Sequence, residues 1–84
     1  MNKEETLSKL KAIIKPFVNN DLAFENLTET TDFIRDLDIN SANLVDIILD
    51  IEEAFDINID NQSMEKMMTI NATLEIIETK LSEK

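Results

Sequence analysis

Ser41 is the residue of this sequence whose type and position best suit covalent chemistry. It follows Asp38, Ile39 and Asn40 and stands at the start of a segment in which apolar residues recur at helical spacing. A serine here can cap the helix by accepting a backbone hydrogen bond, or its hydroxyl can be esterified. Position alone favours the capping role, so covalent chemistry needs support from the surrounding sequence.

The composition removes most other chemical groups. The chain has 84 residues and contains no Cys, His or Gly. It therefore lacks a thiol nucleophile, an imidazole base, soft ligands for zinc and the glycines of phosphate-binding loops. Because no general base lies in reach of any nucleophile that the sequence identifies, we expect a protein that is not itself an enzyme.

The charge balance is strongly acidic, with 18 acidic and 8 basic residues and a net charge of −10. This charge repels phosphate backbones and anionic membranes, so we expect neither as a partner and favour basic protein surfaces. No apolar run approaches the roughly 18 residues that a membrane span needs. We therefore expect a soluble cytoplasmic monomer, folded as a single domain over residues 1–84.

Helical spacing of apolar residues places most of the chain in helices. The predicted helices are residues 6–18, residues 41–55, a short helix at 63–68, and a last helix from Thr69 or Asn71 to about Leu81. Pro16 should end or kink the first helix, and Asn40 or Ser41 should cap the second. The expected fold is all-α, a four-helix bundle of three longer helices and one short helix.

A long segment, residues 21–40, lacks helical periodicity and joins the first two helices. Long loops in compact domains are uncommon unless they are functional. We expect this loop to lie across the core, with one helical turn at residues 32–37. The side chains expected to hold it there are Leu22, Phe24, Leu27, Phe33, Ile34 and Leu37. After the second helix, Ile57 and Ile59 are expected to fill the core.

The second helix has two apolar faces on a helical wheel. The wider face, expected to be buried, contains Leu44, Ile47, Ile48, Ile51 and Phe55. The narrower strip and its acidic border consist of Ala42, Val45, Leu49, Asp46, Glu52 and Glu53. A surface helix needs one apolar stripe for the core, so the second strip needs a separate explanation. Its acidic border can also be simply a solvated face, as charge runs usually are.

The chain resembles the acyl carrier proteins over nearly its whole length. The segments that carry the resemblance are Asp36-Leu37, Asn40-Ser41, Leu44-Val45-Asp46, Glu52-Glu53-x-Phe55 and Ile57-x-Ile59. The resemblance implies that Ser41 is esterified by the phosphate of 4′-phosphopantetheine, taken from coenzyme A. The thiol of that arm would then carry acyl groups as thioesters, in fatty-acid, lipid or secondary-metabolite (polyketide) biosynthesis.

The same resemblance implies a docking surface for partner enzymes along the second helix. The expected partners are a phosphopantetheinyl transferase and acyl-transferring or synthase enzymes with basic docking patches. The residues that would contact them are Asp36, Ala42, Val45, Asp46, Leu49, Glu52 and Glu53. A phosphodiester on Ser41 would also meet unpaired backbone N–H groups and the positive end of the helix dipole.

Three positions around Ser41 differ from the Gly-x-Asp-Ser-Leu that is usual in that family. The chain has Asp38 for Gly, Asn40 for Asp and Ala42 for Leu. Asn40 can cap a helix but lacks the charge that the family associates with the modifying enzyme and its magnesium. Ala42 removes a large apolar contact beside the arm. Our hypothesis is therefore a specialised carrier with its own partners.

Two other functions compete with the carrier. A small acidic helical adaptor without a prosthetic group would use the same helix to hold a basic partner, and it would tolerate Ser41→Ala. Calcium binding would use Asp36-x-Asp38-x-Asn40 or Asp56-x-Asn58-x-Asp60. Neither segment has the glycine at position 6 or the glutamate at position 12 of a calcium loop, so we expect no metal site.

Four further apolar residues have two interpretations. They are Ile59, Met64, Met67 and Met68. They could line a space that accepts an acyl chain, for which soft methionine side chains are suited. Ordinary core packing is the favoured interpretation, because helical spacing alone predicts it.

Overall fold

The computed structural model describes residues 2–83, which form five α-helices and no strand. The helices are α1 (Lys3–Ile14), α2 (Asp21–Glu25), α3 (Leu44–Phe55), α4 (Asn61–Lys66) and α5 (Ile70–Ser82). The all-α prediction is confirmed, and α1, α3, α4 and α5 lie close to the four predicted helices. The longest of the described helices, α5, has 13 residues, and none of the five is long and apolar enough to cross a membrane.

Capping residues explain where α1 begins and ends. The helix begins at Lys3, three residues before the predicted start, because the Asn2 side chain accepts a hydrogen bond of 2.8 Å from the Glu5 N–H. The α-helix ends at Ile14, and Pro16 lies in a single 3-10 turn over Lys15–Phe17. Pro16 therefore ends the α-helix as predicted.

Helix α2 is the element that the sequence did not predict. It lies inside the segment that was expected to be an irregular loop, and Asn20 caps it by accepting a 3.1 Å hydrogen bond from the Ala23 N–H. Five residues are too few for helical periodicity to be recognised, which is why the prediction missed it. Its Ala23 and Phe24 side chains pack against the core.

The rest of the segment crosses the core much as expected. Phe33 and Leu37 are buried, and Leu27 packs against the core. The expected turn is present, because the N–H groups of Asp36 and Leu37 both donate to the Asp32 carbonyl, at 3.0 and 3.1 Å. The prediction for Leu22 is wrong, because this side chain is 69% exposed. Ala23 and Phe24 occupy the side of α2 that faces the core.

The core is one continuous cluster of buried side chains that every long helix supplies. Its buried members are Leu10, Ile14, Phe33, Leu37, Ile39, Ile47, Ile48, Ile51, Phe55, Ile57, Ile59, Met67, Ile70, Leu74 and Ile77. Helix α1 packs against both α3 and α5, and α4 packs against α5. The predicted core face of α3 is therefore buried, with Leu44 at its edge. Ile59 and Met67 pack in this core and Met64 lies at its margin, as ordinary packing predicts.

A buried hydroxyl on α5 provides a test of the packing. Thr73 is fully buried, and its Oγ1 has no hydrogen-bond partner within residues 2–83. Leaving such a group unsatisfied costs about 1–3 kcal/mol. Thr73→Val keeps the shape of the side chain, so we expect it to raise the free energy of unfolding by about 1 kcal/mol, measured by urea denaturation.

The matched control for this substitution is Thr6→Val. Thr6 is equally buried, but its hydroxyl donates to the Asn2 carbonyl at 3.0 Å. Removing that donor should lower the free energy of unfolding by about 1 kcal/mol. A Thr73→Val protein less stable than the wild type would contradict the assignment of an unsatisfied hydroxyl.

Candidate functional site

Ser41 opens a short 3-10 turn, Ser41–Asn43, that leads directly into α3. Asn40 holds this turn: its Oδ1 accepts from the Ala42 N–H at 2.9 Å, and its carbonyl accepts from the Asn43 N–H at 2.8 Å. The sequence named Asn40 or Ser41 as the cap of the second helix. Asn40 caps the 3-10 turn that leads into α3, and the residue before α3, Asn43, makes no side-chain capping bond. The α-helix itself begins at Leu44, three residues later than predicted.

The Ser41 side chain is exposed, and no partner for its hydroxyl is found among the described residues. Because Asn40 performs the capping, the Ser41 hydroxyl is available for chemistry. It lies at the end of the turn that carries the positive pole of the α3 dipole. Asn40 already accepts from two N–H groups here, so fewer unpaired donors surround Ser41 than the sequence analysis expected.

The segment before Ser41 is fixed by buried side chains on either side of a sharp bend. Leu37 and Ile39 are buried, and the Ile39 N–H donates to the Phe33 carbonyl at 3.0 Å. Asp38 lies between them with φ 55°, in the left-handed region. This is the position at which the acyl carrier pattern usually has Gly, so the positive φ accounts for that preference.

Asp38 therefore supports a prediction about the bend. Placing a β-branched residue in the left-handed region raises its conformational free energy by about 1–2 kcal/mol, whereas Gly has no steric clash there. We expect Asp38→Val to lower the free energy of unfolding by about 1–2 kcal/mol and Asp38→Gly to leave it unchanged or higher, by urea denaturation. Asp50→Val on the exposed side of α3 is the control. Equal losses for Asp38→Val and Asp50→Val would contradict a conformational cause.

The narrower strip of the second helix is exposed, as a contact surface must be. Val45 and Leu49 are 54% and 56% exposed, and Ala42 is also exposed. Asp46 and Glu53 are exposed on the same helix. The turn and α3 therefore present apolar side chains with an acidic border, and Ser41 is at their N-terminal end. We call Ala42, Val45, Asp46, Leu49 and Glu53 the α3 face.

Two of the acids assigned by sequence to the docking set have local roles. The Asp36 Oδ2 accepts from the Asp32 N–H at 2.7 Å, which closes the turn before Ser41. The half-buried Glu52 reaches beyond α3, where its Oε2 accepts from the Ile59 N–H at 2.8 Å. These carboxylates accept hydrogen bonds from backbone N–H groups outside regular helices, which a helical wheel does not identify.

Asn19 and Asn20 hold the segment that leads to Ser41, a role that the sequence did not predict. The Asn19 side-chain amide donates to the Asp38 carbonyl at 2.8 Å, and the Asn20 amide donates to the Asp36 carbonyl at 3.1 Å. The Asn19 N–H also donates to the Leu37 carbonyl, at 3.1 Å. An Asn-Asn-Asp run after a helix is a typical turn signal, but nothing near it in the sequence indicates which carbonyls its side-chain amides bind.

The two segments that partly match calcium loops use their oxygens elsewhere. Asp60 caps α4, since its Oδ1 accepts from the Ser63 N–H at 2.8 Å. Hydrogen bonds from the Ser63 side chain and backbone lower the pKa of the Asp60 carboxyl. Asn40 caps the turn at Ser41. Within residues 2–83, no group of three or more acidic side chains is placed to hold a metal ion.

Charge is distributed unevenly along the chain. Residues 16–65 contain 13 of the 18 acidic residues, and Arg35 is the single basic residue among them. All seven lysines lie outside this segment: three on α1, Lys15 directly after it, Lys66 at the end of α4, Lys80 on α5, and Lys84. The segment that contains Ser41, α2 and α3 is therefore the acidic part of the protein. A basic surface on another molecule would be electrostatically complementary to it.

Comparison with known proteins places this geometry in a family. A family model described as a phosphopantetheine attachment site matches residues 8–77, which include Ser41. The chain is 35% identical over 80 residues to the acyl carrier protein of Thermotoga maritima, covering 95% of this chain and 96% of that protein. It is 37% identical over 73 residues to the acyl carrier protein of Desulforapulum autotrophicum, covering 87% and 94%. The acyl carrier protein of Lactobacillus acidophilus is 33% identical over 79 residues, covering 94% and 96%.

Proposed function

Because the chain belongs to the acyl carrier protein family, whose members hold 4′-phosphopantetheine covalently, we propose that Ser41 is the residue that carries this arm. The family membership rests on a family model that matches most of the chain and on relatives aligned over nearly its whole length. When attached, the arm supplies the thiol that a chain without cysteine lacks. The protein then holds acyl groups as thioesters and presents them to partner enzymes.

The observation that supports Ser41 most directly is that Asn40, and not Ser41, caps the turn. Asn40 accepts both hydrogen bonds that hold the 3-10 turn, one on its side chain and one on its carbonyl, so the exposed Ser41 hydroxyl is not needed to hold that turn. In the loading step, the Ser41 Oγ forms a bond to the coenzyme A phosphorus nearest the pantetheine. The bond between the two phosphates breaks, and adenosine bisphosphate leaves.

We assign the base that takes the proton of the Ser41 hydroxyl to the transferase. The chain has no histidine, and the carboxylates of Asp36 and Glu52 accept hydrogen bonds from backbone N–H groups. This chain therefore contributes the nucleophile, its orientation and its exposure. Catalysis belongs to the partners, and the protein is a carrier rather than an enzyme.

The α3 face is the proposed docking surface for those partners. Its exposed Val45 and Leu49 offer apolar contact beside Ser41, and Asp46 and Glu53 offer charges for a basic patch. Asp36 and Glu52 contribute negative potential while their carboxylates hold the loops. The expected partners are a phosphopantetheinyl transferase and acyl-transferring or synthase enzymes, rather than nucleic acid or membrane.

The residues beside Ser41 support a specialised carrier. Asn40 is neutral and occupied in capping, and the exposed Ala42 leaves a smaller apolar contact next to the arm. A partner built for this chain would differ there from a partner of the general fatty-acid carrier. We propose a cytoplasmic monomer of one domain that serves a dedicated fatty-acid, lipid or secondary-metabolite pathway.

The test is an intact-mass measurement. The purified chain is incubated with coenzyme A, magnesium and a broad-specificity phosphopantetheinyl transferase. We expect the mass to rise by one 4′-phosphopantetheine, and peptide mapping to locate it on the peptide that contains Ser41. A chain that gains no mass would favour the adaptor without a prosthetic group.

A further inference from the structure

The most exposed large apolar side chain in residues 2–83 lies outside the α3 face. Leu22 is 69% exposed, more than Val45 or Leu49. It belongs to α2, whose Ala23 and Phe24 pack against the core and leave Leu22 on the outer side. Asp21 and Glu25 are exposed on the same short helix. We call Asp21, Leu22 and Glu25 the α2 face.

Helix α2 is attached directly to the segment that leads to Ser41. Asn20, which caps α2 through its Oδ1, uses its side-chain amide to donate to the Asp36 carbonyl at 3.1 Å. Asn19 donates to the Asp38 carbonyl at 2.8 Å. Leu22 follows two residues after this clamp, and Ser41 follows three residues after Asp38. The clamp therefore fixes the position of the α2 face relative to the serine.

The charge around the α2 face indicates the kind of partner it fits. Between residues 16 and 34 the chain has four acidic residues and no basic one. An enzyme that holds coenzyme A must place basic groups around its several phosphates. A basic margin around such an active site would complement the acidic residues of α2 as well as those of α3.

We propose that the α2 face is a second contact surface for the phosphopantetheinyl transferase that loads Ser41. The inference rests on the proposed function, since it requires that Ser41 is loaded. Leu22 supplies the apolar contact, and Asp21 and Glu25 pair with basic side chains of the transferase. The α2 face does not touch the reacting atoms, so it acts on binding of the carrier and not on the chemical step.

The experiment measures KM and kcat for loading of the full chain, with coenzyme A and a broad-specificity transferase. Leu22→Ser and, separately, Glu25→Lys are each expected to raise KM about tenfold with kcat unchanged, because contact area or charge pairing is lost. Leu22→Met keeps the apolar contact and should keep the wild-type KM. Glu78→Lys, a charge reversal at an exposed position on α5, is the matched control and should leave KM unchanged.

The outcomes separate this inference from the function on which it rests. If the wild type is loaded but Leu22→Ser and Glu25→Lys keep its KM, the proposed contact at the α2 face is wrong and the carrier function stands. If Glu78→Lys raises KM as much as Glu25→Lys, net charge explains the effect and the α2 face is again overturned. A wild type that is never loaded overturns both. Circular dichroism of each variant checks that the helices remain.

Discussion

Ser41→Ala is expected to abolish the gain of 4′-phosphopantetheine and to leave the fold intact. The substitution removes the hydroxyl that would form the ester, so the mass of the chain should stay at the apo value. The side chain is exposed and has no hydrogen-bond partner among the described residues. Its loss should change the free energy of unfolding by less than about 0.5 kcal/mol. Intact mass and urea denaturation measure the two quantities.

Asn40→Ala is the matched variant for this prediction. It removes the side chain that caps the turn but keeps the Ser41 hydroxyl. Loss of a cap costs about 1 kcal/mol of stability, and the mass gain should still occur. If Ser41→Ala loses the mass gain but keeps its stability, and Asn40→Ala loses stability but keeps the mass gain, then Ser41 has the chemical role and Asn40 the capping role. Loading that persists in Ser41→Ala, or a Ser41→Ala protein as unstable as Asn40→Ala, would refute the assignment.

Reversing the charge of the α3 face is expected to weaken loading more than any substitution that spares Ser41. In Asp46→Lys/Glu53→Lys, two exposed acids next to Val45 and Leu49 become basic and face a basic partner. Like charges across an interface cost several kcal/mol, so KM for the transferase should rise about a hundredfold or more. The effect should shrink as salt is added, because exposed charges are screened.

The control carries the same change in net charge on another helix. Glu75→Lys/Glu78→Lys reverses two exposed acids on α5, and KM should change by less than about threefold because the proposed docking surface does not include α5. Both double variants should keep the wild-type helix content. Equal increases of KM for the two variants would show that the partner responds to net charge and that α3 is not a specific docking surface.

The sequence predicted the parts of this fold that depend on periodicity. The core face of α3 was identified because Ile47, Ile48 and Ile51 recur at helical spacing, and all three are buried. The exposed strip with Val45 and Leu49 emerged from the same wheel. Helix α2 was missed because five residues are less than two turns, and Leu22 was assigned to the core with its neighbours.

Contacts between residues far apart in the sequence could not be predicted from the sequence. Nothing local distinguishes Glu52, which holds the Ile59 N–H, from Glu53, which is exposed. Nor does the run Asn19-Asn20 reveal that its amides bind carbonyls 16 and 19 residues away. Such roles depend on which loops the fold brings together, and a helical wheel carries no information about that.

The concentration of acids on α2, α3 and the loops around them has a consequence for kinetics. Residues 16–65 contain 13 of the 18 acidic residues, whereas all seven lysines lie outside that segment. If the proposed partners present a positive potential, this uneven charge would orient the carrier during diffusion, before any contact forms. A larger share of encounters would then begin with the proposed docking surface turned toward the enzyme, and this share would fall as salt is added.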